Sequence, residues 1–179
     1  NMMRENKNGG YLVTGSWAKK AAKEASFMGS STIIASSEDK NFNYIPKNYT
    51  IDSTLDYFHY TSNNTIFGTQ VKELPKTNVP IVCDMSSDIF SKKLDVSKYD
   101  LIYAGAQKNM GPAGTTLYIV KKDVLGASSV NIPTMLDLKT HSDKDSMFNT
   151  PPVFAVYTSM LTLRWLKKNG GINHIEAEN

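Results

Sequence analysis

Cysteine is almost absent from this chain. Cys83 stands alone among 179 residues, which excludes an internal disulfide and any cysteine-based zinc site and leaves the fold to be held by its core. The histidines, His59, His141 and His174, are scattered without metal-ligand spacing, so no metal is predicted. No apolar run approaches the roughly 18 residues of a membrane-spanning helix, and the polar stretch from Asn1 to Gly10 is not a secretory signal. A cytoplasmic protein with no membrane partner is expected, in keeping with the scarcity of cysteine. The net charge of +3 is dispersed in small clusters such as Lys19-Lys20, Lys92-Lys93, Lys121-Lys122 and Lys167-Lys168. Without a basic stripe interleaved with aromatics, no nucleic-acid partner is predicted. Arginine is limited to Arg4 and Arg164.

What is present is an ordinary 40% of hydrophobic residues, arranged in patterns that fix a fold class. Ser16 to Met28 carries Trp17, Ala18, Ala21, Ala22, Ala25 and Met28 at helical spacing, with Gly29 in the position that ends helices. Short strands are predicted at Ser31 to Ala35 and, rich in aromatics, at Asp56 to Tyr60. Asn78 to Asp84, Tyr99 to Ala104 and Thr115 to Val120 are continuous apolar runs rather than alternating ones, which suits strands covered on both faces of an α/β sheet. Thr150-Pro151-Pro152 opens a last long helix with Thr150 as its N-cap. Phe154, Tyr157, Met160, Leu161 and Trp165 form its apolar face, and Gly170-Gly171 closes it.

Two of these strands end on residues that carry chemistry. One runs into Asp84; the other runs into Ala104-Gly105-Ala106-Gln107-Lys108-Asn109-Met110-Gly111-Pro112-Ala113-Gly114. A lysine enclosed by small residues after an apolar strand suits a buried amine, whose pKa falls from its ordinary value of about 10.4 and which can add to a carbonyl as a Schiff base. A surface lysine in a glycine-rich turn has the same local sequence. In α/β sheets ligands gather at the carboxyl ends of strands, so Asp84 and Lys108 belong to one candidate site. The chemistry that uses both is that of pyridoxal phosphate, with the lysine holding the aldehyde and the aspartate pairing with the pyridinium nitrogen. Cys83 precedes Asp84 on its strand and points to the opposite face, which argues against a nucleophilic cysteine.

The segments Val82-Cys83-Asp84-Met85-Ser86-Ser87, Tyr103 to Gly114 and Ser146-Met147-Phe148-Asn149-Thr150-Pro151-Pro152 resemble those of the phosphoserine aminotransferase family, class V enzymes of fold type I that depend on pyridoxal phosphate. The likeness runs from Trp17 to Lys168, and the Ala-Gly-Ala-Gln-Lys-Asn core joined to Met-Phe-Asn-Thr-Pro-Pro is its most specific part. It implies a three-layer α/β/α large domain with a mostly parallel sheet. It also implies transfer of the amino group of glutamate to the phosphorylated 2-oxo acid 3-phosphohydroxypyruvate in serine biosynthesis, with a related phosphohydroxythreonine step in vitamin B6 synthesis. The other readings are a different aminotransferase or a desulfurase of the same fold, or a catalytically incomplete fragment of one.

By the same resemblance, Lys108 is the Schiff-base lysine and acid–base catalyst, and Asp84 pairs with the ring nitrogen. Trp17 stacks on the ring, Thr65 bonds its phenolic oxygen and Gln107 reaches its phosphate. Helix-core packing is the other reading of Trp17, turn chemistry that of Thr65 and loop support that of Gln107. Asn149 and Thr150 match residues that reach the phosphate of a neighbouring subunit's cofactor, which implies a homodimer with shared sites; helix capping alone is their other reading.

Both substrates carry two anionic groups and call for forked arginine donors, yet Arg164 falls inside the last helix and Arg4 in the polar start. The chain is therefore expected to be the central part, residues 1–179, of the large cofactor-binding domain. It would be incomplete at both ends, with the substrate arginines, a glycine-rich phosphate loop and the small C-terminal domain outside it.

Overall fold

The first strand is one that composition hides. Asn8–Val13 (β1) contains Gly9-Gly10 beside Tyr11, Leu12 and Val13, and glycine in a strand interior weakens the apolar signal. Both glycines are there for close approach. A Cβ on Gly9 would stand 2.4 Å from the Tyr57 ring, and one on Gly10 would stand 2.6 Å from Leu55.

In this computed structural model, which describes residues 1–179, β1 is followed by helix α1 (Ser16–Ala25) and strands β2 (Ser30–Ser36) and β3 (Tyr57–Thr61). A short antiparallel hairpin of β4 (Asn63–Asn64) and β5 (Thr69–Gln70) comes next, then β6 (Ile81–Asp84), β7 (Leu101–Gly105) and β8 (Thr116–Val120). Helices α2 (Leu138–Ser142), α3 (Val153–Lys168) and α4 (Gly171–Glu178) complete the chain. The main sheet has 6 strands in the order β2-β1-β3-β6-β7-β8, all parallel except β8, which runs antiparallel to β7. This is the mostly parallel α/β sheet predicted.

Strand alternation sorts the side chains onto two faces. Leu12, Phe58, Tyr60, Ile81, Cys83, Ile102 and Ala104 form one core, closed by irregular segments that supply Leu74, Ile89, Phe90 and Met110. Tyr11, Val13, Tyr57, Val82 and Leu101 form the other, closed by Met2, Met3 and Ala22 of α1. From β1 the chain goes out to β2 and returns on the far side of β1 to β3. The loops after β1 and β3 therefore leave in opposite directions, and the crevice between them is where open α/β sheets bind ligands.

Two helix expectations need correction. Helix α1 stops at Ala25, because Ser26 Oγ donates to the carbonyl of Lys23 and the chain turns through Ser26 to Met28. Gly29 is not in the left-handed region; its place is dictated by crowding, since a Cβ there would lie 2.4 Å from the carbonyl of Lys7. At α3 the N-cap position is Pro152 with no side-chain cap, so Thr150 lies outside the helix. Its expected apolar face is also largely turned outward. Phe154, Tyr157, Leu161 and Trp165 are exposed, while Ala155 is buried and Ser159, Met160, Thr162, Leu163 and Leu166 are half-buried. Small residues line the inward stripe because the helix seats on the Lys108 loop: Gly111 lies against Ser159 and Gly114 against Ala155. Both glycines have φ in the left-handed range, +137° and +119°, which gives the loop a path other residues resist.

Candidate active site at the carboxyl edge of the sheet

The strands β1, β3, β6 and β7 all point their carboxyl ends to one edge, and most of the buried polar residues gather there: Thr14, Ser37, Thr61, Ser62, Asn64 and Asp88. They fasten the edge loops to one another. Asn64 Nδ2 donates to Thr14 Oγ1 at 3.0 Å, spanning the crevice between β1 and β3. Ser62 N–H donates to the carbonyl of Asp84 at 3.0 Å, and its hydroxyl, 3.1 Å from the same oxygen, bonds Asp88 Oδ1 more closely. Asn63 Nδ2 donates to Ser87 Oγ at 3.0 Å. Loops that would otherwise be mobile are thus held to the ends of the strands.

Asp84 closes β6 and is half-buried. Its Oδ1 accepts from Ser86 N at 2.9 Å and from Ser86 Oγ at 2.6 Å; the Tyr103 hydroxyl stands near the carboxylate, which helps hold the phenol's proton, but no hydrogen bond of ordinary geometry reaches Oδ2. Across the ladder Asp84 is paired with Tyr103 and Thr61, and the loop that follows Tyr103 carries Gln107 and Lys108. Lys108 is exposed. The buried amine expected from the sequence is not formed by this chain, because nothing in it stands over the loop to exclude water. Asn109 anchors the loop from below, with Nδ2 donating to the carbonyl of Ile89 at 2.8 Å. Gln107 is exposed and folds over Gly105, close enough that a Cβ there would meet its Oε1 at 2.4 Å.

Trp17 sits in the first turn of α1, just beyond the end of β1, and is 54% exposed, which excludes helix-core packing. Lys20 Nζ lies 4.6 Å from its ring centroid, a cation–π contact. Thr65 is exposed in the hairpin turn, and its hydroxyl makes no hydrogen bond within the chain. Trp17, Thr65, Asp84, Gln107 and Lys108 therefore share one edge. Asn149 and Thr150 are not brought to it by any hydrogen bond. They are exposed ahead of α3, and Asn149 Nδ2 reaches only the carbonyl of Thr150.

Beneath Asp84, on the same face, lies a row that sequence reading passed over. Tyr11, His59, Tyr103 and Tyr118 sit on four strands with neighbouring rings 5.1 to 6.5 Å apart. His59 Nε2 and the Tyr103 hydroxyl are 2.9 Å apart, and His59 Nδ1 is buried without a partner. Burial pushes the His59 pKa down to about 4, with the Asp84 charge opposing the shift, so the ring is neutral near pH 7. The available signal was strand period: Tyr57, His59 and Thr61 alternate onto the face that bears Asp84.

Cys83 points the other way, into the opposite core, and burial pushes its thiol up. Arg4 lies at the far, amino edge, where its N–H donates to Asp56 Oδ2 and its guanidinium to the carbonyl of Asn1. Arg164 is exposed on α3. Neither makes a hydrogen bond or ion pair to Asp84 or Lys108.

The residues at this edge suit an aromatic aldehyde cofactor at its ring and aldehyde ends. They offer a carboxylate with one oxygen uncommitted, an accessible primary amine, an exposed indole and an unpartnered hydroxyl. The phosphate end finds only Gln107 beside them.

The aminotransferase class-V family model matches residues 7–179. The chain is 62% identical to the phosphoserine aminotransferase of Flavobacterium psychrophilum over 179 residues, covering 100% of this chain and 50% of that protein. To that of Parabacteroides distasonis it is 56% identical, covering 97% of this chain and 49% of that protein. Among solved structures, the phosphoserine aminotransferase from Bacillus circulans subsp. alkalophilus superposes with a TM-score of 0.92 at 40% identity, over 99% of this chain and 50% of the other. A phosphoserine aminotransferase from Trichomonas vaginalis with bound pyridoxal phosphate superposes at 0.89 with 31% identity, over 99% of this chain and 51% of the other. The chain thus spans about half the length of the relatives it matches.

Proposed function

Since the chain belongs to the class-V aminotransferases, we propose that residues 1–179 are the central part of the large domain of a pyridoxal-phosphate-dependent phosphoserine aminotransferase. The reaction is transfer of the amino group of glutamate to 3-phosphohydroxypyruvate, and the small C-terminal domain lies outside this chain. The observation that carries the reading is the placing of Asp84 and the Lys108 loop at the ends of the adjacent parallel strands β6 and β7, with Asp84 Oδ2 uncommitted.

Bound pyridoxal phosphate supplies an aldehyde that takes up the amino group and a ring that accepts the electrons of a broken Cα–H bond. Asp84 would hold the ring nitrogen and keep its proton, and Lys108 Nζ would hold the aldehyde and serve as the group that takes up and returns the Cα proton. Trp17 offers the ring an aromatic face, Thr65 its hydroxyl to the phenolic oxygen, and Gln107 its amide to the phosphate.

Because Lys108 is open to solvent here, the rest of the enzyme must close the site. The exposed face of α3, with Phe154 77% and Trp165 58% exposed beside Asn149 and Thr150, supports a homodimer in which those two residues serve the partner's cofactor. The cytoplasm fits a chain whose one cysteine is buried and free.

Borohydride reduction of the whole protein tests this reading. It is expected to fix the pyridoxyl group on the peptide carrying Lys108, and assay of amino donors and acceptors is expected to select glutamate and the phosphorylated 2-oxo acid. Labelling of a different lysine would sink the assignment.

A further inference from the structure

We propose that Ser86 is a positioning residue that sets which oxygen of Asp84 meets the cofactor and couples that carboxylate to the Lys108 loop. The inference rests on the proposed role of Asp84.

Ser86 makes three contacts that few turn residues combine. Its N–H donates to Asp84 Oδ1 at 2.9 Å, its hydroxyl donates to the same oxygen at 2.6 Å, and that hydroxyl accepts from the N–H of Gly105 at 3.1 Å. The first contact is the ordinary turn bond of an aspartate to the residue two positions on. The other two go further. Having given its single proton to Asp84, the hydroxyl has its lone pairs left for Gly105, so the direction of the chain Gly105 N–H to Ser86 Oγ to Asp84 Oδ1 is fixed.

Two consequences follow. With Oδ1 held by two donors, the carboxylate cannot swing, which leaves Oδ2 as the oxygen presented to a ring N–H. Gly105 ends β7 beneath the Gln107 side chain and leads directly into Lys108, so the ring-binding carboxylate and the lysine loop are registered through one hydroxyl.

The test uses the whole protein, with pyridoxal phosphate as the probe. Ser86→Ala is expected to weaken cofactor binding about tenfold in equilibrium dialysis, the cost of one hydrogen bond to a charged group. It is also expected to move the pH midpoint of the cofactor's visible absorbance upward, because a ring nitrogen held less firmly protonated repels the proton at the Lys108 link less. Ser86→Thr keeps both donors and should restore affinity and midpoint. Ser86→Cys, of similar size but a weak donor, should lose them as alanine does, and it decides the matter if the alanine variant does not fold.

Parental affinity and midpoint in the alanine or cysteine variant overturn the proposal, as does a folded threonine variant that behaves like alanine. Asp84→Asn, measured alongside, separates the two levels. If it leaves affinity and absorbance unchanged, the role of Asp84 fails and that of Ser86 falls with it. Loss with Asp84→Asn but not with Ser86→Ala refutes Ser86 alone.

Discussion

Asp84 and Tyr103 are register partners across the β6–β7 pairing, so the Lys108 loop leaves the sheet from beside the carboxylate at the end of β6. The pairing is parallel, which sends both chain ends to the same edge and brings two residues distant in sequence to one candidate site.

The exposure of Lys108 separates its chemistry from its stability. Lys108→Ala removes an amine with no hydrogen bond or ion pair in the chain, and the change in unfolding free energy should stay within about 0.5 kcal/mol. Transamination and borohydride labelling should both be lost. Calorimetry with single-turnover assays checks the pair of expectations, and a variant with full activity would rule out a catalytic lysine here.

Asp84 should be more costly to change. In Asp84→Ala the cofactor loses its charged partner and Ser86 loses its acceptor, so turnover is expected to fall by on the order of 10²–10³-fold, in the range for removing one preorganised electrostatic contact. Steady-state kinetics at saturating cofactor distinguishes this from weaker binding. A fall of less than threefold would contradict the proposed pairing.

Much of this site was legible because strands end where the chain changes character. Asp84 and Lys108 follow apolar runs, and the runs predict β6, β7 and β8 to within a few residues. Strand β1 was not legible, because close contact with Tyr57 and Leu55 requires Gly9 and Gly10, the residues that dilute a strand signal. The inward face of α3 was misread for a related reason. Phe154, Tyr157, Leu161 and Trp165 point to solvent, whereas the small Ala155 and Ser159 seat on Gly114 and Gly111. Lys108 is open to solvent in this chain, and no local pattern could report that. Ser86 carried no signal of its own in the sequence, because its decisive partner, Gly105, lies on another strand.

Gly9 offers a direct test of the hidden strand. Gly9→Ala would place its Cβ 2.4 Å from the Tyr57 ring, which is itself buried and bonded through its hydroxyl to Tyr11 at 2.5 Å. Such overpacking typically costs about 1–3 kcal/mol. Thermal unfolding should report a loss of that size, whereas Gly68→Ala, with open space around its Cβ, should lose less than Gly9→Ala despite its positive φ.

Cys83 separates an aminotransferase from a desulfurase of the same fold. Its side chain packs in the core opposite Asp84, and burial pushes its thiol up, away from the reactive thiolate. Cys83→Ala should keep transamination within twofold while costing about 1 kcal/mol of stability through the small cavity left behind. A thiol reagent should label the native protein only as fast as it unfolds. Rapid labelling of folded protein would contradict the placement.

His59 should make stability depend on pH in a defined window. Its folded pKa, about 4, lies below the ordinary 6.5, so the unfolded chain binds the proton more tightly. The contribution is fully present above pH 6.5 and is lost as pH falls toward 4, where the folded ring itself protonates. The full shift corresponds to about 3 kcal/mol. Because burial also holds Asp88 above the ordinary carboxylate value, the measurement is a difference: urea unfolding of the parent and of His59→Gln from pH 7.5 to 4. The glutamine amide cannot take up a proton, so the parent should lose stability faster across the window, and the two curves should run parallel above pH 6.5. Parallel curves throughout would mean that His59 is not held neutral beneath Asp84.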